Sequence, residues 1–160
     1  MKRYITGIIF AWILVIGVDF LFHASIFASL WSEDVAIFKS TKELSLLLPI
    51  GYLSFLFLSL LIGYLFFKIF KVKPTLKEVL IFGFIIGMLY LLINFSGLFS
   101  YVKIPVKQLI IFNLISFVEI IVITLSLYFT LFAKSLKRIV WLTILCFMLL
   151  LICGIVVQNI

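Results

Sequence analysis

Asp19 and His23 lie four residues apart in an otherwise apolar first stretch, and Glu119 is the one charged residue between Gln108 and Ala133. At i and i+4 a carboxylate and an imidazole share a helix face and can hydrogen-bond. A second carboxylate would turn the pair into a set that titrates as a unit. Imidazole and carboxylate are also ordinary metal ligands, so Asp19, His23 and Glu119 are the candidate ligands for a cation. A charged side chain at mid-bilayer costs roughly 2.5–3.5 kcal/mol on insertion scales. Such residues need either a buried polar partner or a function. The alternative to a site is a self-satisfied polar knot that fixes helix register.

The elements that must position them are long and apolar. The chain has 160 residues, of which 66% are hydrophobic and 12% charged, against about half apolar in soluble domains. Leu44–Phe67, Val79–Val102 and Ile139–Ile160 carry no charge at all, and Tyr4–Trp31 and Gln108–Ala133 are broken only by the ionisable residues above. About 20 residues at 1.5 Å rise span the hydrocarbon core. The sequence therefore predicts an all-α polytopic bundle of five transmembrane helices in one domain, 1–160, with helices near 4–31, 44–68, 76–102, 105–133 and 138–158. Barrel strands would alternate polar and apolar residues, and these runs do not. Met1-Lys2-Arg3 resembles a signal-peptide n-region, but the apolar stretch behind it is too long for an h-region. It is expected to be a retained helix.

Basic residues set the expected topology. Lys2, Arg3, Lys68, Lys71, Lys73, Lys77, Lys134, Lys137 and Arg138 fall on one side, nine against the four of Lys39, Lys42, Lys103 and Lys107. The positive-inside rule then puts the N-terminus in the cytoplasm and the C-terminus outside, in a plasma or inner membrane. Ser40–Glu43 and Thr75–Glu78 match the S/T-x-x-E box that opens helices, and Pro105 suits a first turn. The outer loop, 32–43, holds Glu33 and Asp34 ahead of an apolar run, and a short surface helix is expected there.

Two further stripes bear on a site. Gly83, Gly87, Tyr90, Asn94, Gly97 and Tyr101 follow steps of three and four along the third helix. Gly83, Gly87 and Gly97 are expected to form a packing seam, since small residues let membrane helices approach closely. Asn94 is the stripe's candidate contribution to a polar site with Asp19, His23 and Glu119. Ser116, Glu119, Ser126 and Thr130 form a matching face on the fourth helix. Cys146 and Cys153, two turns apart on one helix, are too distant for a disulfide and are expected to be buried as small apolar residues.

Nothing matches a zincin, nucleophile-elbow, P-loop or dinucleotide motif, so no enzyme and no cofactor is expected. The basic residues belong to helix ends, which leaves no role with nucleic acid. Val18-Asp19-Phe20-Leu21-Phe22-His23, Leu30-Trp31, Glu78, Phe82-Gly83-Phe84-Ile85-Ile86-Gly87 and Ile104-Pro105 resemble a group of small multi-pass prokaryotic integral membrane proteins of unknown function. That resemblance implies only that Asp19 and His23 belong together. The expected role is non-enzymatic: an accessory or structural subunit or small oligomer in the lipid bilayer, either a homo-oligomer or joined to a partner membrane subunit. The alternatives are proton or cation binding or permeation, and small-molecule or lipid binding in the outer half of the bundle.

Overall fold

Apolar side chains at every position leave each run no polar face, so its backbone must satisfy itself, and a helix does so internally. The computed structural model describes residues 2–31 and 41–159. In chain order the elements are α1 (Lys2–Asp19), a π-helical segment (Phe20–Ile26), a short α2 (Ala28–Trp31), α3 (Thr41–Ile69), α4 (Leu76–Tyr101), α5 (Val106–Phe132) and α6 (Leu136–Gln158). Lys2–Ile26, Leu46–Ile69, Leu76–Tyr101, Val106–Phe132 and Leu136–Gln158 are each long and apolar enough to cross a membrane. No strand occurs among the described residues. The loop carrying Glu33 and Asp34, with Ser40 of the first capping box, lies outside the described residues.

Local signals explain the helix ends. Thr75 and Glu78 form a complete capping box: Glu78 N–H donates to Thr75 Oγ1 (3.3 Å) and Thr75 N–H to Glu78 Oε2 (2.7 Å). Pro105 stands immediately before α5, where its missing N–H is no loss. Ser135 Oγ accepts from Arg138 N–H (3.4 Å) at the start of α6.

The helices are arranged around α1 and α5, which run antiparallel. At one end Arg3 Nη1 donates to Ala133 O (3.0 Å), and at the other Gln108 Nε2 donates to Leu30 O (2.8 Å). α3 packs antiparallel on α1, where Trp12 Nε1 donates to Tyr52 O (2.7 Å) and Tyr4 meets Phe67. α4 packs on α5, and α6 packs on α1 and its π-helical continuation. One core joins Ile8, Ala11, Val15, Ile62, Phe66, Val79, Phe82, Ile120, Ile123 and Leu127, with Phe66, Phe70 and Phe82 in edge-on or tilted ring contact. Buried polar side chains occur in both halves of the bundle: Ser59, Thr124, Ser126 and Thr130 on the side of that core, and Ser25, Gln108, Asn113, Ser116 and Glu119 toward the other end.

Two expectations about helices need correction. The first span is not a continuous α-helix, because beyond Asp19 it widens into π turns and breaks at Phe27. Cys146 and Cys153 are exposed rather than buried. α6 buries only a narrow strip, Thr143 and Gly154, against its neighbours, and both thiols fall off that strip.

Candidate functional site

The π-helical segment sets the geometry at Asp19. Phe27 N–H reaches back five residues to Phe22 O (2.9 Å), and Ser25 Oγ donates to Phe20 O (3.3 Å). Such i→i+5 turns are rare and occur mostly as short insertions in α-helices, often at functional sites. Here α6 braces the segment from one side. A Cβ built at Gly154 would stand 2.6 Å from Phe20 Cε1 and 2.9 Å from Ser25 Oγ. A side chain at 154 would occupy the space that the Phe20 ring and the Ser25 hydroxyl fill. Gln158 Nε2 donates to Ala24 O and ties the far end of the brace.

Asp19, His23 and Glu119 converge on this framework. Each offers one ligand atom, and the three atoms lie within 4.8 Å of one another. His23 Nε2 is 3.7 Å from Asp19 Oδ1, and the His23 ring tilts against Phe112 with 5.7 Å between centroids. The side chains of His23 and Asp19 keep 22% and 21% of their surface exposed, whereas Glu119 keeps 2%. Glu119 is thus the buried member of the three, and Asp19 and His23 are half-buried. Glu119 Oε1 is fully enclosed and has no hydrogen-bond partner among the described residues.

Asn94 is placed elsewhere. Its Nδ2 donates to Asn113 Oδ1 (3.1 Å), and Asn113 Nδ2 donates in turn to Leu109 O (2.8 Å). The two asparagines join α4 to α5, and Asn113 is a polar residue that the sequence stripe missed. Its position, one turn before Phe117 and six residues before Glu119, did not stand out in a polar start to the helix. A double-mutant cycle with Asn94→Leu and Asn113→Leu is expected to give a coupling of about 0.6 kcal/mol in detergent unfolding, the average for interhelical hydrogen bonds in membranes. A coupling of zero would mean the pair contributes nothing to the joint.

The glycine seam divides. A Cβ at Gly83 would meet Thr124 Oγ1 at 2.5 Å, and one at Gly87 would meet Phe117 Cδ2 at 2.7 Å, so both hold α4 against α5. At Gly97 the nearest atom is Tyr101 Oη at 3.7 Å, on its own helix. The stripe on α5 is buried throughout, at Ser116, Glu119, Ser126 and Thr130. A groove of about 550 Å³ along Leu76, Lys77, Leu80, Ile81 and Phe84 touches none of the three converging residues.

Fold and composition define the class: a multi-pass helical membrane protein with a compact cluster of ionisable side chains between its helices. Comparison with protein-family models, with curated proteins and with solved structures yields no match to this chain.

Proposed function

We propose that this protein is a cation-binding integral membrane protein whose Asp19–His23–Glu119 cluster holds a proton or a metal ion within the bilayer. The observation that carries this reading is the enclosed, partnerless oxygen of Glu119. Fixing helix register does not need it. That work is done by closed hydrogen bonds elsewhere: Asn94 to Asn113, Trp12 to the Tyr52 carbonyl, and Arg3 to the Ala133 carbonyl. Ser59 Oγ and Thr130 Oγ1 are also buried without partners among the described residues, but those are neutral hydroxyls. A carboxyl group in hydrocarbon must either carry a proton or face a positive charge.

The orientation follows the basic residues, with the N-terminus in the cytoplasm of a plasma or inner membrane. Aromatic rings at the basic end fit this reading. Lys68 Nζ lies 5.4 Å from the Tyr64 ring centroid and Lys71 Nζ 5.4 Å from that of Phe67, the pairing expected where lysines leave the hydrocarbon. In that orientation the cluster lies between mid-membrane and the outer leaflet.

Infrared difference spectroscopy on the purified protein in lipid tests the proposal. A pH step should change the protonated-carboxyl absorption of wild type, and Glu119→Gln should remove a major part of that change. A carboxyl signal that stays flat across the accessible pH range, in the presence and absence of metal ions, rules the site out.

A further inference from the structure

Resting on the cation-site reading, we infer that the cluster is a binding site for one divalent transition cation of the zinc class, ligated by an Asp19 oxygen, the His23 imidazole and a Glu119 oxygen. Three features select the ion. The first is charge: two carboxylates and a neutral imidazole carry −2, so a divalent ion makes the cluster neutral. A monovalent ion would leave a net charge among the helices, at the high cost of a buried ion.

The second is ligand type. An imidazole nitrogen favours zinc, copper, iron or nickel over magnesium and calcium, which call for oxygen. Calcium also needs six to eight oxygen ligands, and the cluster offers far fewer. Magnesium demands near-octahedral oxygen coordination and sheds its water reluctantly, which suits a set of three side chains that includes an imidazole poorly.

The third is spacing. Four-coordinate zinc with nitrogen and oxygen ligands at about 2.0–2.2 Å sets them about 3.4 Å apart. His23 Nε2 and Asp19 Oδ1 are already 3.7 Å apart, and the whole set lies within 4.8 Å. Small rotations of the two acid side chains would bring all three donors onto one ion. Glu119 is the buried member of the set, and its Oε1 has no hydrogen-bond partner among the described residues.

Three protein ligands leave the fourth position to water or another exchangeable donor. Closed structural sites use four protein ligands, whereas sites that exchange or react keep one open. Because bound ligands must be deprotonated, uptake of the ion should release protons wherever the acids were holding them.

The experiment uses the full-length chain, purified without a polyhistidine tag, in lipid nanodiscs. Zinc is titrated calorimetrically in two buffers of different ionisation heat, and cobalt(II) serves as a visible-absorption probe. The expected result is one zinc per chain with buffer-dependent proton release, and cobalt bands of a four-coordinate nitrogen–oxygen site. Asp19→Asn, His23→Gln and Glu119→Gln should each weaken binding about 100-fold or more, beyond the 10–100-fold typical of outer-shell changes. Helical content by circular dichroism identifies variants that fail to fold, and proton release by wild type needs no variant at all.

Absence of zinc binding to wild type overturns the inference. Equal binding of magnesium or calcium overturns the choice of ion, and undiminished zinc binding by all three folded variants overturns the choice of ligands. A carboxyl infrared signal that follows pH but ignores zinc would sink this inference and leave the broader cation-site reading standing. Loss of both signals would sink the two together.

Discussion

A protein carrying Gly83→Val and Gly87→Val together should unfold in detergent at markedly lower temperature than wild type, and α4 should separate first from α5. Even a bare Cβ would stand 2.5 Å from Thr124 Oγ1 at the first position and 2.7 Å from Phe117 Cδ2 at the second. Thr124 is fully buried and Phe117 is wedged beside Phe84, ring centroids 5.6 Å apart. Neither can step aside without disturbing a further contact. Overpacking a filled interface costs about 1–3 kcal/mol per site, so the pair should lose several kcal/mol of the 5–15 kcal/mol typical of a whole domain. Gly97→Ala supplies the opposite sign. With 3.7 Å to its nearest neighbour, it should stabilise α4 by about 0.5–1 kcal/mol through helix propensity alone. Melting temperatures that move alike for the two changes would mean the seam is not where α4 and α5 meet.

The second large effect is expected at Gly154, far from the ligands in sequence and on another helix. Gly154→Val drives a branched side chain into Phe20 and Ser25, the residues that begin and stabilise the π turns. To make room, Phe20 must swing out or α6 must retreat. In both cases the turn bearing His23 loses its brace. Zinc affinity should fall about 10–100-fold, the range found when supporting residues around a metal are disturbed, while the α1–α3 and α4–α5 joints stay intact. Unchanged affinity in a folded Gly154→Val protein would show that His23 holds its place without α6.

The sequence alone foretold these features unevenly. Helix number and approximate limits were legible because charge-free runs longer than 20 residues have one economical solution in hydrocarbon. The Thr75–Glu78 cap was legible because its chemistry is local. That Gly83 and Gly87 pack against α5 while Gly97 does not was hidden, since the periodic stripe is the same at all three and only tertiary contacts separate them. Asp19 and His23 were recognisable as a pair from their spacing. Their meeting with Glu119 was only a possibility, as it depends on how α1 and α5 are set against each other. Nothing in Phe20–Ile26, which has neither glycine nor proline, announces a π-helix. Its packing against α6 at Gly154 is likewise invisible in the local sequence. The mispredicted cysteines have a similar origin: small apolar residues are buried where a neighbour exists, and α6 offers most of its surface to none.

The antiparallel embrace of α1 and α5 also has a consequence for biosynthesis. Asp19 and Glu119 are 100 positions apart in the chain, and the brace at Gly154 comes later still. A nascent polypeptide must therefore carry Asp19 and His23 into the translocation machinery long before Glu119 has been made. The interval falls on the ribosome-bound stage, when the half-built bundle depends on water, on the insertion apparatus or on a chaperone to shelter an aspartate and a histidine that the finished protein keeps between its own helices.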